Sequence, residues 1–150
     1  MSNTEEWLPT EKIVEDYKLY SKMLEALATE VRELSKKKQE GVLNLTKVRM
    51  INRILKPLKE DILAHVPANI FLDLLDEDVI PNNSDAVLVI SQYEAAINEF
   101  SREYYRSFKD DSYYEHNYWA TVENPDGQAG YDDEDEEEDD NNDGAMPPLQ

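Results

Sequence analysis

A chain of 150 residues without a cysteine has room for one folded domain, and it excludes disulfide cross-links and thiolate chemistry. The net charge of −19 is unevenly placed: residues 1–109 hold 19 acidic and 15 basic side chains, whereas residues 110–150 hold 15 acidic and no basic ones. No apolar window approaches the roughly 18 residues of a membrane span, and Met1–Trp7 lack the parts of a signal peptide. We therefore expect a soluble, intracellular (cytoplasmic) protein with no membrane association.

The stretch from Ile13 to Leu34 predicts a long amphipathic helix. Thr10 provides a capping hydroxyl before it, and Lys36–Lys38 followed by Gly41 are typical of its end, with Gly41 as a left-handed terminator. Its apolar residues are spaced alternately by four and three, which places them on one seam: Ile13, Tyr17, Tyr20, Leu24, Leu27, Val31 and Leu34.

The same spacing returns from Leu45 to Ile62 and predicts a second helix. Only about four residues connect it to the first, so the two helices should be antiparallel. Pro57 removes one backbone donor, and we expect a kink or a restart there. The dense apolar run Asn69–Asp76 predicts a short buried helix, because it is short and its polarity does not alternate.

A third long helix is predicted from about Asp85 to Phe108. Val87–Val89 widen its apolar surface, which indicates that its beginning is the most deeply buried end. The predicted fold class is therefore all-α: an antiparallel helical bundle of three long helices plus one short helix. The seam of the third helix consists of Ala86, Ile90, Tyr93, Ile97, Phe100 and Tyr104.

We assign residues 1–120 to the bundle domain, including an aromatic C-terminal segment, and residues 121–150 to a disordered acidic tail. The tail cannot bury enough apolar area to offset its chain entropy. Its nine consecutive carboxylates, the acidic run, could occupy a phosphate-binding surface of a partner, fold back on a basic face of this chain, or only keep the protein solvated. They are Asp132, Asp133, Glu134, Asp135, Glu136, Glu137, Glu138, Asp139 and Asp140.

A basic patch is predicted around the first helical hairpin, where Glu33 and Glu40 are the only acidic residues. It could contact phosphates or receive the tail, or its cations could simply complete a helix end and a solvated face. The patch consists of Arg32, Lys36, Lys37, Lys38, Lys47, Arg49, Arg53, Lys56 and Lys59.

Aromatic residues are concentrated just before the tail. Tyr and Trp give large contact area at low entropic cost, so they could anchor a partner, or they could cap the open end of the bundle. Tyr104 is expected in the core, and the partner-binding candidates are Tyr113, Tyr114, Tyr118 and Trp119.

Catalysis, metal binding and cofactors are not expected. His65 follows Asp61 by four residues, but no third ligand is placed beside them. The many carboxylates do not make a catalytic pair without a pocket.

The leading hypothesis is a non-enzymatic regulatory protein, a nucleic-acid mimic. Its bundle docks on a basic protein partner, and its acidic run shields a basic, nucleic-acid-binding surface of that partner. The alternative is a nucleic-acid-binding accessory protein that uses the basic patch and is autoinhibited by its tail. The sequence also allows a homodimer, because the first helix would extend past the kink at Pro57 and leave an apolar end uncovered.

Overall fold

The computed structural model describes residues 6–128. The acidic run and the predicted disorder of residues 129–150 lie outside this range. The described part is mostly helical, with α1 at Glu11–Lys37, α2 at Leu45–Pro57 and α3 at Asn83–Tyr104. It also contains a two-stranded antiparallel sheet of β1 (Tyr105–Lys109) and β2 (Glu115–Trp119), so the prediction of a purely all-α fold is wrong.

Helix α1 forms as its periodicity predicts. Thr10 Oγ1 accepts the backbone N–H of Ile13 at 3.1 Å. Tyr17, Leu24 and Val31 of the predicted seam are buried, whereas Ile13, Tyr20, Leu27 and Leu34 are half-buried. Val14 and Ala28 are also buried, because α1 packs between two neighbours and needs a wider apolar face.

The prediction that Gly41 ends α1 in a left-handed conformation is wrong, since its φ is not positive. Close approach of neighbouring side chains favours glycine there. A Cβ on Gly41 would lie 3.0 Å from Asn83 Nδ2, and the Gly41 carbonyl accepts the Asn83 N–H at 2.7 Å. The turn after α1 is therefore held by the first residue of α3.

Both α2 and α3 run antiparallel to α1. The start of α3 lies beside the α1–α2 turn, where Val42 and Asn82 form an isolated β-bridge. Further along, Arg32 of α1 bonds Glu94, and Tyr17 stacks on Phe100 with ring centroids 4.7 Å apart. Because α2 and α3 begin at the same end, the chain between them must travel back along the bundle.

This return segment (residues 67–82) replaces the predicted short helix. A 3₁₀ helix spans Pro67–Phe71, Leu72 then has an extended backbone, and residues 72–76 belong to no helix; the side chains of Leu72 and Leu75 are buried. The prediction of a helix at Asn69–Asp76 is therefore wrong, and the count of four helices is not confirmed. An extended chain rises about 3.3 Å per residue against 1.5 Å in a helix, so it covers the required distance with fewer residues.

Side chains from both parallel helices bind the return segment. Asn52 of α2 pairs with the backbone of Leu75, donating from Nδ2 to the carbonyl at 2.8 Å and accepting the N–H at 2.9 Å. From α3, the Tyr93 hydroxyl donates to the Asp73 carbonyl at 2.8 Å. Burial raises the pKa of Tyr93, which keeps the proton on this donor.

The predicted kink or restart at Pro57 takes the form of a change in hydrogen bonding. Pro57 is the last residue of α2, and a π-helical turn spans Leu58–Ile62 directly after it. Leu58, Ile62 and Leu63 are buried. The π turn packs on α1 beyond Pro57, and the possible homodimer stays a prediction.

The seam of α3 is confirmed, because all six of its predicted residues are buried. The deepest part, however, is not its beginning. Leu88 is 64% exposed, while Tyr93 and Phe100 are completely buried. The helix ends at Tyr104 rather than Phe108, and β1 begins with Tyr105, which pairs with Trp119 in register. Trp119 then packs on Tyr17 with centroids 5.1 Å apart and closes this end of the core.

Asn52→Ala should lower the free energy of unfolding by about 1–3 kcal/mol, because it removes both bonds to Leu75 and leaves that backbone unpaired. Asn98→Ala is the matched control, since Asn98 is an exposed helical asparagine of α3, and its effect should stay within about 0.5 kcal/mol. Denaturant unfolding of both variants measures the difference. Equal losses would show that Asn52 does not hold the return segment.

Candidate functional site

The hairpin β1–β2 presents two exposed tyrosines at its tip. Tyr113 and Tyr114 are 84% and 71% exposed and belong to the five-residue turn 110–114. Tyr113 has a φ of 65°, an unfavourable conformation for a residue with a Cβ, so the rest of the turn must impose it. Two of the four predicted aromatic candidates therefore lie together on a projecting turn.

Asp110 organises this turn. Its Oδ1 accepts the backbone N–H groups of Ser112 at 2.8 Å and Tyr114 at 3.0 Å, and its Oδ2 lies 2.9 Å from His116 Nε2. The hydrogen bond with His116, reinforced by those backbone donors, lowers the pKa of Asp110 below its ordinary value. The tyrosine tip is thus preorganised by a carboxylate that stays ionised at neutral pH.

The other two aromatic candidates are held by internal packing. Trp119 is half-buried and contacts Tyr17, Phe100 and Tyr105. Tyr118 is half-buried too, because its ring lies over Gly127 and packs against Phe108, with centroids 5.9 Å apart. As expected, Tyr104 is buried in the core. Of the cluster, only Tyr113 and Tyr114 offer largely free surface.

Residues 120–128, the docked segment, bind back onto the start of α1. The Val122 N–H donates to the Pro9 carbonyl at 2.9 Å, and Glu123 Oε1 accepts the Glu11 N–H at 3.0 Å, so a carboxylate meets the positive end of α1. Gly127 has a φ of 80°, and a Cβ there would lie 2.6 Å from Tyr118 Cγ. Residues 121–128 were assigned to the tail, yet they pack on the body in specific contacts.

The predicted basic patch is divided among three places. Arg32 faces α3, where it bonds Glu94 and Ser91. Arg49, Arg53 and Lys56 share one face of α2 by their spacing, with Lys59 in the π turn beyond them. The remaining four lie around the α1–α2 turn and are Lys36, Lys37, Lys38 and Lys47.

The cations of the basic patch also differ in whether they form ion pairs. Arg49 pairs with Glu77 of the return segment at 3.0 Å, and Lys36 pairs with Glu33 at 3.2 Å. Within residues 6–128 the other six cations have no ion-pair partner, and they are Lys37, Lys38, Lys47, Arg53, Lys56 and Lys59. Free positive charge therefore lies both at the α1–α2 turn and along α2.

Sequence reasoning missed two acidic residues that the fold makes distinctive. Asp110 opens a turn-forming Asp-Asp-Ser stretch between two aromatic runs, a pattern that could have indicated a hairpin. Glu99 is one of many carboxylates in the sequence, and no local signal distinguishes it. In the structure its Oε1 is buried without a hydrogen-bond partner among the described residues.

No protein-family model, curated protein or solved structure matches this chain. In residues 6–128 no helix is both long and apolar enough to cross a bilayer. The same residues contain no group of three or more His, Asp or Glu side chains arranged to hold a metal ion. Function must therefore be inferred from the surfaces and charges of this chain.

Acid should loosen the hairpin tip. Because the folded-state pKa of Asp110 lies below the ordinary 3.8, its stabilisation is complete above that value and is lost as pH falls through the lowered pKa. The Ser112 and Tyr114 amide resonances should therefore shift as pH falls below about 4. Asp110→Asn should abolish this transition and Asp111→Asn should preserve it. A transition that persists in Asp110→Asn would assign it to another group.

Gly127→Ala should release the docked segment, because alanine is strained at this φ and its Cβ would collide with Tyr118. The cost of about 1–3 kcal/mol should speed exchange of the Val122 amide proton roughly tenfold or more. Gln128→Ala, on the exposed neighbouring residue, is the control and should leave that rate unchanged. An unchanged rate in Gly127→Ala would mean that the contact with Pro9 does not depend on this packing.

Proposed function

We propose that this protein is a non-enzymatic regulator that binds a basic protein partner and shields the surface with which that partner contacts nucleic acid. The observation that carries the proposal is the acidic run: nine consecutive carboxylates that begin four residues after the docked segment ends. A run of this charge density competes with phosphates for a cationic surface.

The position of the docked segment supports an intermolecular target for the acidic run. The segment lies at the start of α1, whereas Lys36–Lys38 lie at its other end, about 40 Å away along 27 helical residues. Glu136, the middle of the run, is eight residues from Gln128, and even a fully extended chain of that length spans at most about 28 Å. The tail would therefore have to be almost fully extended to bring the run to the α1–α2 turn of its own chain.

The tyrosine tip is proposed to supply specificity. Tyr113 and Tyr114 project from a turn that Asp110 holds in place, so little backbone freedom would be lost on binding. The hairpin and the docked segment lie at the same end of the bundle, since Tyr118 packs on Gly127. The acidic run would speed association with the partner and make it salt-sensitive, while the tyrosine tip would form close contacts.

A second candidate function is favoured by the unpaired cations of α2. Arg53 and Lys56 share an exposed face without an ion-pair partner among the described residues, and such a stripe suits contacts to phosphates. In this alternative the protein is a nucleic-acid-binding accessory factor. Lys56 and Lys59 lie at the end of α2 near the docked segment, so the acidic run could mask them.

Neutralising the acidic run discriminates between the two functions. The full-length protein should displace a short fluorescent DNA duplex from an arginine-rich peptide, and a variant with Asp→Asn and Glu→Gln throughout 132–140 should require about tenfold more protein or fail. Fluorescence anisotropy at low and high salt measures the displacement. Neutralisation is preferred to deleting residues 121–150, because residues 121–128 pack on the body.

A variant with the nine acidic residues in shuffled order is the matched control and should displace the duplex as well as the native chain. Direct binding of the duplex by the neutralised variant, but not by the native chain, would favour the autoinhibited nucleic-acid-binding protein. Equal displacement by the native and neutralised chains would contradict the leading proposal.

A further inference from the structure

A cleft of about 370 Å³ opens between the end of α3 and the corner that precedes the return segment. Glu99, Glu103 and Tyr104 of α3 form one side of it, and His65, Val66 and Pro67 form the other. The aromatic candidates and the basic patch lie outside this cleft. It is nevertheless at the same end of the bundle as the docked segment, because Trp7, which stacks on His65, is two residues from Pro9.

Glu99 gives the cleft an unmet hydrogen-bonding requirement. Its Oε1 has essentially no solvent exposure and no hydrogen-bond partner among the described residues. A carboxylate oxygen withdrawn from water without a donor is unfavourable, so native structures rarely retain one. A cation bound in the cleft beside the Glu99 carboxylate would offset the unfavourable desolvation of its charge.

The surroundings of Glu99 are negative. Glu103 lies one helical turn further on the same face and has no ion-pair partner within residues 6–128. Arg106 is the nearby cation, but its guanidinium is already bonded to Glu6 and to the backbone carbonyl of Glu103. Burial, together with the charges of Glu103 and Glu6, raises the pKa of Tyr104, which agrees with a negative local field.

Flat aromatic rings adjoin the two carboxylates. Trp7 and His65 are stacked, with centroids 4.1 Å apart and 13° between their planes. The Trp7 ring also meets Tyr104 edge-on, with a centroid distance of 5.6 Å. The cleft thus combines hydrogen-bond acceptors with stacking surfaces, a combination that suits a planar cation better than the compact ammonium of lysine.

We propose that this cleft binds the guanidinium group of an arginine side chain from the basic partner. The guanidinium donates to the Glu103 carboxylate and lies beside the carboxylate of Glu99, and its plane lies against the aromatic wall. This inference rests on the proposed function and deepens it, since the acidic run attracts a cationic segment and the cleft selects one arginine within it.

The test is an NMR titration of the full chain with capped arginine, followed by the indole N–H of Trp7 and the amides of Glu99 and Glu103. Glu99→Gln/Glu103→Gln should weaken binding about tenfold or more, because charge-assisted hydrogen bonds are lost. The matched control is Glu25→Gln/Glu30→Gln, which changes the net charge equally on exposed glutamates of α1 and should change affinity less than about twofold. Capped lysine should bind more weakly than capped arginine.

Stability measurements separate loss of the ligand site from loss of the fold. Glu99→Gln should unfold at the same or a higher denaturant concentration than the native chain, since it removes the charge from a half-buried carboxylate with one unpaired oxygen. Glu103→Gln alone provides a second variant on the surface of the same cleft. The inference would be overturned if the control pair weakened arginine binding equally, or if arginine shifted other resonances but not those of Trp7, Glu99 and Glu103.

Titrating the variant with the neutralised acidic run distinguishes failure of this inference from failure of the proposed function. Arginine binding that persists in that variant while native and neutralised chains displace duplex equally would support the cleft and contradict the proposed function. Displacement that requires the run, without any arginine-dependent shift at the cleft, would overturn the cleft and leave the proposed function standing.

Discussion

The common starting point of α2 and α3 is the constraint from which the rest of the fold follows. Both helices oppose α1, so the chain must return along the bundle between them. The backbone polar groups of that return segment cannot remain unpaired where it is buried, and Asn52 and Tyr93 provide partners from the two flanking helices. After the return segment, α3 begins at the α1–α2 turn and ends beside the start of α1.

The end of α3 determines where every proposed binding feature lies. Tyr104, the last residue of α3, lies at the aromatic end of the core. Trp119, at the end of the hairpin, packs at the same end. The docked segment then passes the start of α1, where Glu123 caps the helix. The tyrosine tip, the cleft at Glu99 and the docked segment consequently share one end of the described structure.

The sequence periodicity predicted which residues of the helices face the core, and it predicted little else about the fold. The seams of α1 and α3 are recognisable because each helix repeats its contacts over many turns. The mostly apolar run Ile70–Leu75 could be either helical or extended. The direction of α3, which requires the chain to return along the bundle, decides between these two conformations. Val87–Val89 cannot all face the core, because consecutive helical residues point in different directions, so Leu88 remains exposed. Glu99 becomes distinctive only when the fold buries it.

Charge is distributed so that the two ends of the bundle act independently. The lysines of the α1–α2 turn are separated from the start of α1, where the docked segment binds, by about 40 Å, several times the roughly 8 Å screening length at physiological salt. Neither end therefore neutralises the other through space. The end of the bundle where α1 begins presents two shaped surfaces, a tyrosine turn held by Asp110 and the cleft between α3 and the corner that precedes the return segment. In the proposed function, the acidic run would supply the long-range attraction and these two surfaces the short-range selection.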